Sequence, residues 1–116
     1  MPETLTPWGG SLTLTTANTP YQLSVLLADL PAATRPRLSD VPRVQWLTIQ
    51  ADANAGGARF YWGNSNLSAT LRGAEWFATQ AIPFGDQQGG NLIRLDHIWV
   101  MSDTAGVVIN VSFLTR

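Results

Sequence analysis

The clearest pattern of apolar and polar positions lies in residues 44 to 66, VQWLTIQADANAGGARFYWGNSN. In its first part Leu47, Ile49 and Ala51 fall on one side of an extended strand, and Val44, Trp46, Thr48 and Gln50 fall on the other. Phe60 and Trp62 then alternate with Arg59 and Tyr61, while ADANAGG between the two runs supplies the Asn and Gly that a turn with positive backbone angles needs. The pattern predicts a hairpin with one apolar side, closed by a second turn at GNSN.

The same period recurs elsewhere. SLTLTT (11 to 16) alternates Leu12 and Leu14 with hydroxyl residues, and VVINVSF near the end sets Val107, Ile109, Val111 and Phe113 on one face. NLIRLDHIWVM puts Ile93, Leu95, His97, Trp99 and Met101 on one parity and Leu92, Ile98 and Val100 on the other. A bulge or break near Asp96-His97 would bring Leu95 and Ile98 to the core together. LSATLRGAEWFATQAIPFG (67 to 85) holds one or two short strands divided at Arg72-Gly73, with Pro83 restricting the second to an edge or an end.

Two segments depart from strand alternation. In TPYQLSVLLADL (19 to 30), Thr19-Pro20 suits a cap and first turn, and Leu23, Leu26, Leu27 and Leu30 share a helical face, which predicts a short helix. A strand through Tyr21, Leu23 and Val25 is the competing reading. PAATRPRLSDVPR (31 to 43) has three Pro and three Arg without apolar periodicity and reads as a surface loop. Residues 1 to 10, with two Pro and a Gly-Gly pair, read as an N-terminal arm whose Trp8 anchors it on its own body or on a neighbouring subunit. Seven or eight short strands with turn clusters then predict an all-β fold: a small antiparallel β-sandwich or jelly-roll-like barrel with one short helix, forming a single domain over 11–116. IQADANAGGARFYW and WVMSDTAGVVINV share a strand, turn, strand layout, with too few matching residues for a repeat.

Composition narrows the function classes. A chain of 116 residues makes one domain, burying roughly two thirds of its unfolded surface. With 13% charged residues and a formal charge of -1 it has no broad attraction for nucleic acid or anionic lipid, so neither is an expected partner. The seven cationic side chains are all Arg, and the absence of Cys removes disulfides and thiolate ligands. The start lacks a signal-peptide pattern and no apolar run approaches the roughly 18 residues of a membrane span, which points to a soluble protein made in a cytoplasm.

Candidate chemistry is sparse. His97 is the single His, no Lys can replace it as a base, no GxSxG elbow is present, and Asp96 and His97 diverge as strand neighbours. His97 reads as a core-edge residue bonded to backbone. Asp52, Asp86 and Asp103 are accounted for by turns. The expectation is a protein that is not an enzyme and uses no cofactor and no metal. Five Trp and two Tyr exceed what so small a core needs. Trp46, Tyr61 and Trp99 lie opposite the faces assigned to the core, and with Trp8, Arg35, Arg37 and Arg43 they form the candidate interface. The plainer alternatives are that the aromatics complete a two-sided core under a helix or loop, and that the loop Arg residues are merely solvated.

The blocks TTANTPYQL, LTIQADANAGGARFYWGNSNLSAT and IWVMSDTAGVVINVSF, about half the chain, resemble a pattern in small virion proteins of tailed bacteriophages. The resemblance implies a β-sandwich or jelly-roll-like domain that forms homo-oligomers, often trimers, as a head decoration or cement protein or in a tail or fibre. It implies partners in the major capsid protein or another virion protein, and a place in the virion after synthesis in the bacterial host. Residues Gly63 to Asn66 and Ser102 to Gly106 would then be structural turns, while the insert at 23 to 43 departs from the pattern. The alternative function is a carbohydrate-binding or receptor-binding module, in which Trp and Tyr stack on sugar rings.

Overall fold

A computed structural model describes residues 6–36, 43–68, 70–77, 80–85 and 92–115. Its elements are β1 (Thr6–Leu14), β2 (Tyr21–Gln22), α1 (Leu23–Ala28), β3 (Arg43–Val44), β4 (Trp46–Ala51), β5 (Arg59–Gly63), β6 (Ala74–Phe77), β7 (Ala81–Gly85), β8 (Ile93–Arg94), β9 (Trp99–Ser102) and β10 (Val107–Thr115). Two antiparallel sheets of four strands form the body: sheet A in the order β1-β10-β4-β7 and sheet B in the order β2-β9-β5-β6. The pair β3 and β8 makes a small third sheet. The fold is all-β and sandwich-like, as the alternation predicts.

The core follows from the strand registers. In sheet A, Trp8, Phe113, Leu47 and Phe84 line up across the four strands, followed by Gly10, Val111, Ile49 and Ile82, and then by Leu12, Ile109 and Ala51. Sheet B contributes Phe60, Trp62, Trp76 and Val100 from its inward face, and one hydrophobic cluster joins both sets. The four residues picked out in the last strand, Val107, Ile109, Val111 and Phe113, are all buried.

The predicted hairpin at 44 to 66 does not form. β4 pairs with β10 and β7 in sheet A, whereas β5 pairs with β9 and β6 in sheet B, so the turn between β4 and β5 carries the chain from one sheet to the other. A 3-10 turn over Ala53–Ala55, with Asp52 accepting from the Asn54 amide at 2.9 Å and Gly56 at φ 61°, makes this arch. The Leu47 and Phe60 sets thus face each other across the roughly 10 Å between packed sheets instead of sharing one face. Val44 is corrected as well: a bend at Gln45 separates β3 from β4 and turns Val44 into the core, fully buried.

β9 and β10 form a second arch, running from sheet B back to sheet A. The two arches brace each other in matching ways. The Asp52 amide donates to the Val108 carbonyl at 3.1 Å, and the Asp103 amide donates to the Arg59 carbonyl at 3.1 Å. The strand, turn, strand resemblance too weak to count as a sequence repeat is therefore a pair of arches related by approximate two-fold exchange of the sheets.

Other expectations divide. Over 19 to 30 both readings hold in part: Tyr21–Gln22 pair with β9, and the helix begins at Leu23 with Gln22, not Thr19, at its cap. Leu95 and Ile98 are both buried, because a 3-10 turn over Leu95–His97 breaks the strand at the expected place. Pro83 sits in β7, an edge strand of sheet A. The N-terminal arm is shorter than 1–10, since strand pairing starts at Thr6, with Pro7 tolerated because β1 is also an edge. Residues 1 to 5 and 37 to 42 lie outside the described residues, and Arg43 belongs to β3 and not to the loop.

Candidate functional site

The six described residues of the candidate interface do not converge. Trp8 faces inward, its ring stacked on Phe113 at 5.2 Å between centroids and its indole N–H donating to the Thr34 carbonyl at 3.0 Å. A Cβ on Gly10 would lie 2.7 Å from the Trp8 ring, so the WGG sequence is a seat for that indole. Trp8 thus anchors β1 to its own body. Arg35 is exposed and donates to the Ala28 carbonyl at 3.3 Å, which ties the turn after α1 to the helix. Arg37 lies outside the described residues. Arg43 is exposed, directly across from Arg94 in the β3–β8 pair.

The aromatic trio is split between opposite sides of the sandwich. Trp46 lies on the outer face of sheet A, half-buried, with its indole N–H donating to the Thr48 hydroxyl at 3.1 Å. Tyr61 and Trp99 lie on the outer face of sheet B, where the alternation placed them, but Tyr61 is only 2% exposed. The chain between β5 and β6 folds over it: Leu67 packs with Tyr61 and Met101 in a second small cluster, against which the half-buried Trp99 rests. The plainer alternative, a two-sided core under a loop, therefore accounts for Tyr61. An apolar side chain at a strand's outward position becomes buried when a long enough connection returns across it, a contact no local pattern encodes.

That connection is held by specific groups. Asn64 and Ser68 side-chain oxygens accept backbone amides within it at 2.9 and 3.0 Å, from Asn66 and Leu71. Arg72 donates to the Tyr61 hydroxyl at 2.9 Å while its guanidinium carbon stands 5.1 Å from the centre of the Tyr61 ring. Gly73, at φ 57°, completes the turn so close to the Trp62 carbonyl that a Cβ would lie 2.3 Å from the oxygen. On this side of the molecule, among the described residues, the large apolar side chains Leu71 and Phe77 remain in solvent, 64% and 47% exposed. Phe77 stands opposite Arg59, which pairs with Glu75 at 3.7 Å. Sequence reasoning passed over both, although Trp76 and Phe77 are neighbours on one strand and cannot both face the core.

Charge chemistry is used structurally. Arg94 grips Asp96 through two bonds of 3.0 and 2.6 Å, and this bonding, ahead of simple charge attraction, holds the Asp96 carboxyl below its ordinary value of 3.8. His97 is exposed, not the core-edge residue expected. A carboxylate depressed in the folded state stabilises the fold fully above its unfolded value and loses that contribution as pH falls through the folded one. Melting curves from neutral pH down to about pH 2 should therefore show a steeper acid loss for the wild-type chain than for Asp96→Asn, and parallel curves would remove Asp96 from the acid response. Among the described residues no group of three or more His, Cys, Asp or Glu is placed to hold a metal ion. No protein-family model matches the chain, and no curated protein is significantly similar to it.

Proposed function

We propose that the protein is a structural subunit of a tailed-bacteriophage virion, of the head-decoration or cement type, which self-associates and stabilises the capsid shell. The observation that carries this reading is the exposure of Leu71 and Phe77 beside Arg59 and Arg72 on the outer side of sheet B. Oligomers bury apolar groups of this kind, and aromatic residues with Arg dominate the centres of protein interfaces. The resemblance of the IQAD, GNSN and SDTAG turns to those of small virion proteins supports the same reading and favours a trimer. The Arg35 turn and Arg43, at other places on the body, are left for contact with the major capsid protein.

The test joins mass with binding. Light scattering at micromolar concentration is expected to give a multiple of the chain mass, and the protein is expected to cosediment with purified capsid shells. Phe77→Glu should reduce the mass to that of one chain with its melting temperature retained, because Phe77 contributes to the surface and not to the core. A one-chain mass for the wild-type protein, together with no binding to shells, overturns the proposal.

A further inference from the structure

We propose that the outer face of sheet A is a binding groove for a short neutral saccharide. This site lies on the opposite side of the sandwich from Leu71 and Phe77, so it stands or falls apart from assembly through sheet B. The strand registers place three outward rows side by side: Pro7, Leu114 and Trp46; then Gly9, Ser112 and Thr48; then Ser11, Asn110 and Gln50. The small Gly9 row lies beside the larger Asn110 and Gln50, and a groove of about 290 Å³ crosses the strands along these two rows. From β1 to β4 it covers three strands, about 10 Å, the length of two sugar rings.

Its two walls differ in chemistry. On one side Trp46, in the row just beyond the groove's own lining, donates its indole N–H to the Thr48 hydroxyl of the groove floor at 3.1 Å. A flat aromatic surface in that position suits the C–H face of a pyranose. On the other side the amide of Asn110 is fixed in orientation: its oxygen accepts from the Ser11 hydroxyl at 2.7 Å, and its NH₂ donates to the Asp52 carboxylate at 3.3 Å. Asp52 is in turn held by the Asn54 amide. A polar wall set in place before binding loses little freedom when it takes up ligand hydroxyls.

The same observations select the ligand class. Among the described residues no charged side chain lines the groove, Asp52 touching it only as the partner of Asn110, so phosphate, sulfate and uronate groups find no cation. An added peptide strand would pair alongside an edge in the plane of the sheet, whereas the groove lies on the sheet's outer face and runs across β1, β10 and β4. Neutral hydroxyls with one apolar ring face fit what remains.

The experiment uses the whole chain on an array of neutral and acidic oligosaccharides, followed by calorimetric titration of the best neutral one. Binding of a neutral saccharide is expected, weakened about tenfold or more by Trp46→Ala and abolished by Ser112→Phe, which fills the groove from an exposed position. Gln50→Ala, also exposed, serves where the Phe variant melts early, and is expected to weaken binding as well. Trp99→Ala, on the other face, should leave the affinity unchanged. An array without a neutral hit, binding confined to acidic sugars, or affinities indifferent to the groove variants overturns the proposal.

Discussion

Phe60→Ala is expected to lower the stability of the folded chain by about 3–5 kcal/mol, the range for deleting a buried Phe side chain from a packed core. Phe60 is fully buried, belongs to β5 at the centre of sheet B, and packs on Trp76 at 5.3 Å between ring centres. It projects into the cluster that joins the two sheets, so the lost ring leaves a cavity between them that neither sheet can close alone. A domain of this size has roughly 5–15 kcal/mol in all, and the variant should melt many degrees lower or fail to fold at 37 °C. Phe60→Leu retains more of the volume and should lose markedly less. Chemical denaturation of the three proteins measures this, and a loss under about 1 kcal/mol for the Ala variant would contradict the packing described.

The second large effect is expected at Gly73→Ala. The left-handed backbone there costs a non-glycine residue about 1–3 kcal/mol, and the new methyl would also stand 2.3 Å from the Trp62 backbone oxygen, which no side-chain rotation relieves. The turn must shift, carrying Arg72 off the Tyr61 ring and lifting Leu67 from Met101. Gly106→Ala is the internal standard. Its φ of 74° is also positive, yet a Cβ there meets nothing within 4 Å. Gly73→Ala should therefore cost well over what Gly106→Ala costs, and should weaken the proposed self-association as well, because the displaced segment carries Leu71. Equal melting temperatures for the two variants would show that the Trp62 carbonyl yields freely.

These two sites differ in how far they could be read from the chain. Phe60 was legible, because its alternation with Arg59 and Tyr61 is a local property. Gly73 was visible only as punctuation at Arg72-Gly73. Its close approach to Trp62 depends on the path of the intervening loop, which buries Tyr61 and leaves Leu71 in solvent. For Trp46, Tyr61 and Trp99 of the candidate interface, the side of the strand was legible and the place on the molecule was not. Trp46 and Tyr61 share an outward parity on successive strands, and parity counts positions along one strand without stating which sheet the strand joins. The polar groove beside Trp46 was hidden for the same reason: Gly9, Ser112 and Thr48 come from three distant segments.

The pattern of residues 44 to 66 thus determined by itself that two strands form, which of Leu47, Ile49, Phe60 and Trp62 turn inward, and that a turn lies between them. Period-two alternation and turn chemistry act over a few residues, so the sequence specifies them directly. Only the tertiary structure decided that the turn is an arch between sheets, that a second arch at 99 to 115 mirrors it, and that Trp46 and Tyr61 face opposite ways. An arch and a hairpin present the same alternation. What separates them is pairing with β9 and β10, 36 to 68 residues away, where backbone hydrogen bonding and burial of both apolar faces are satisfied together.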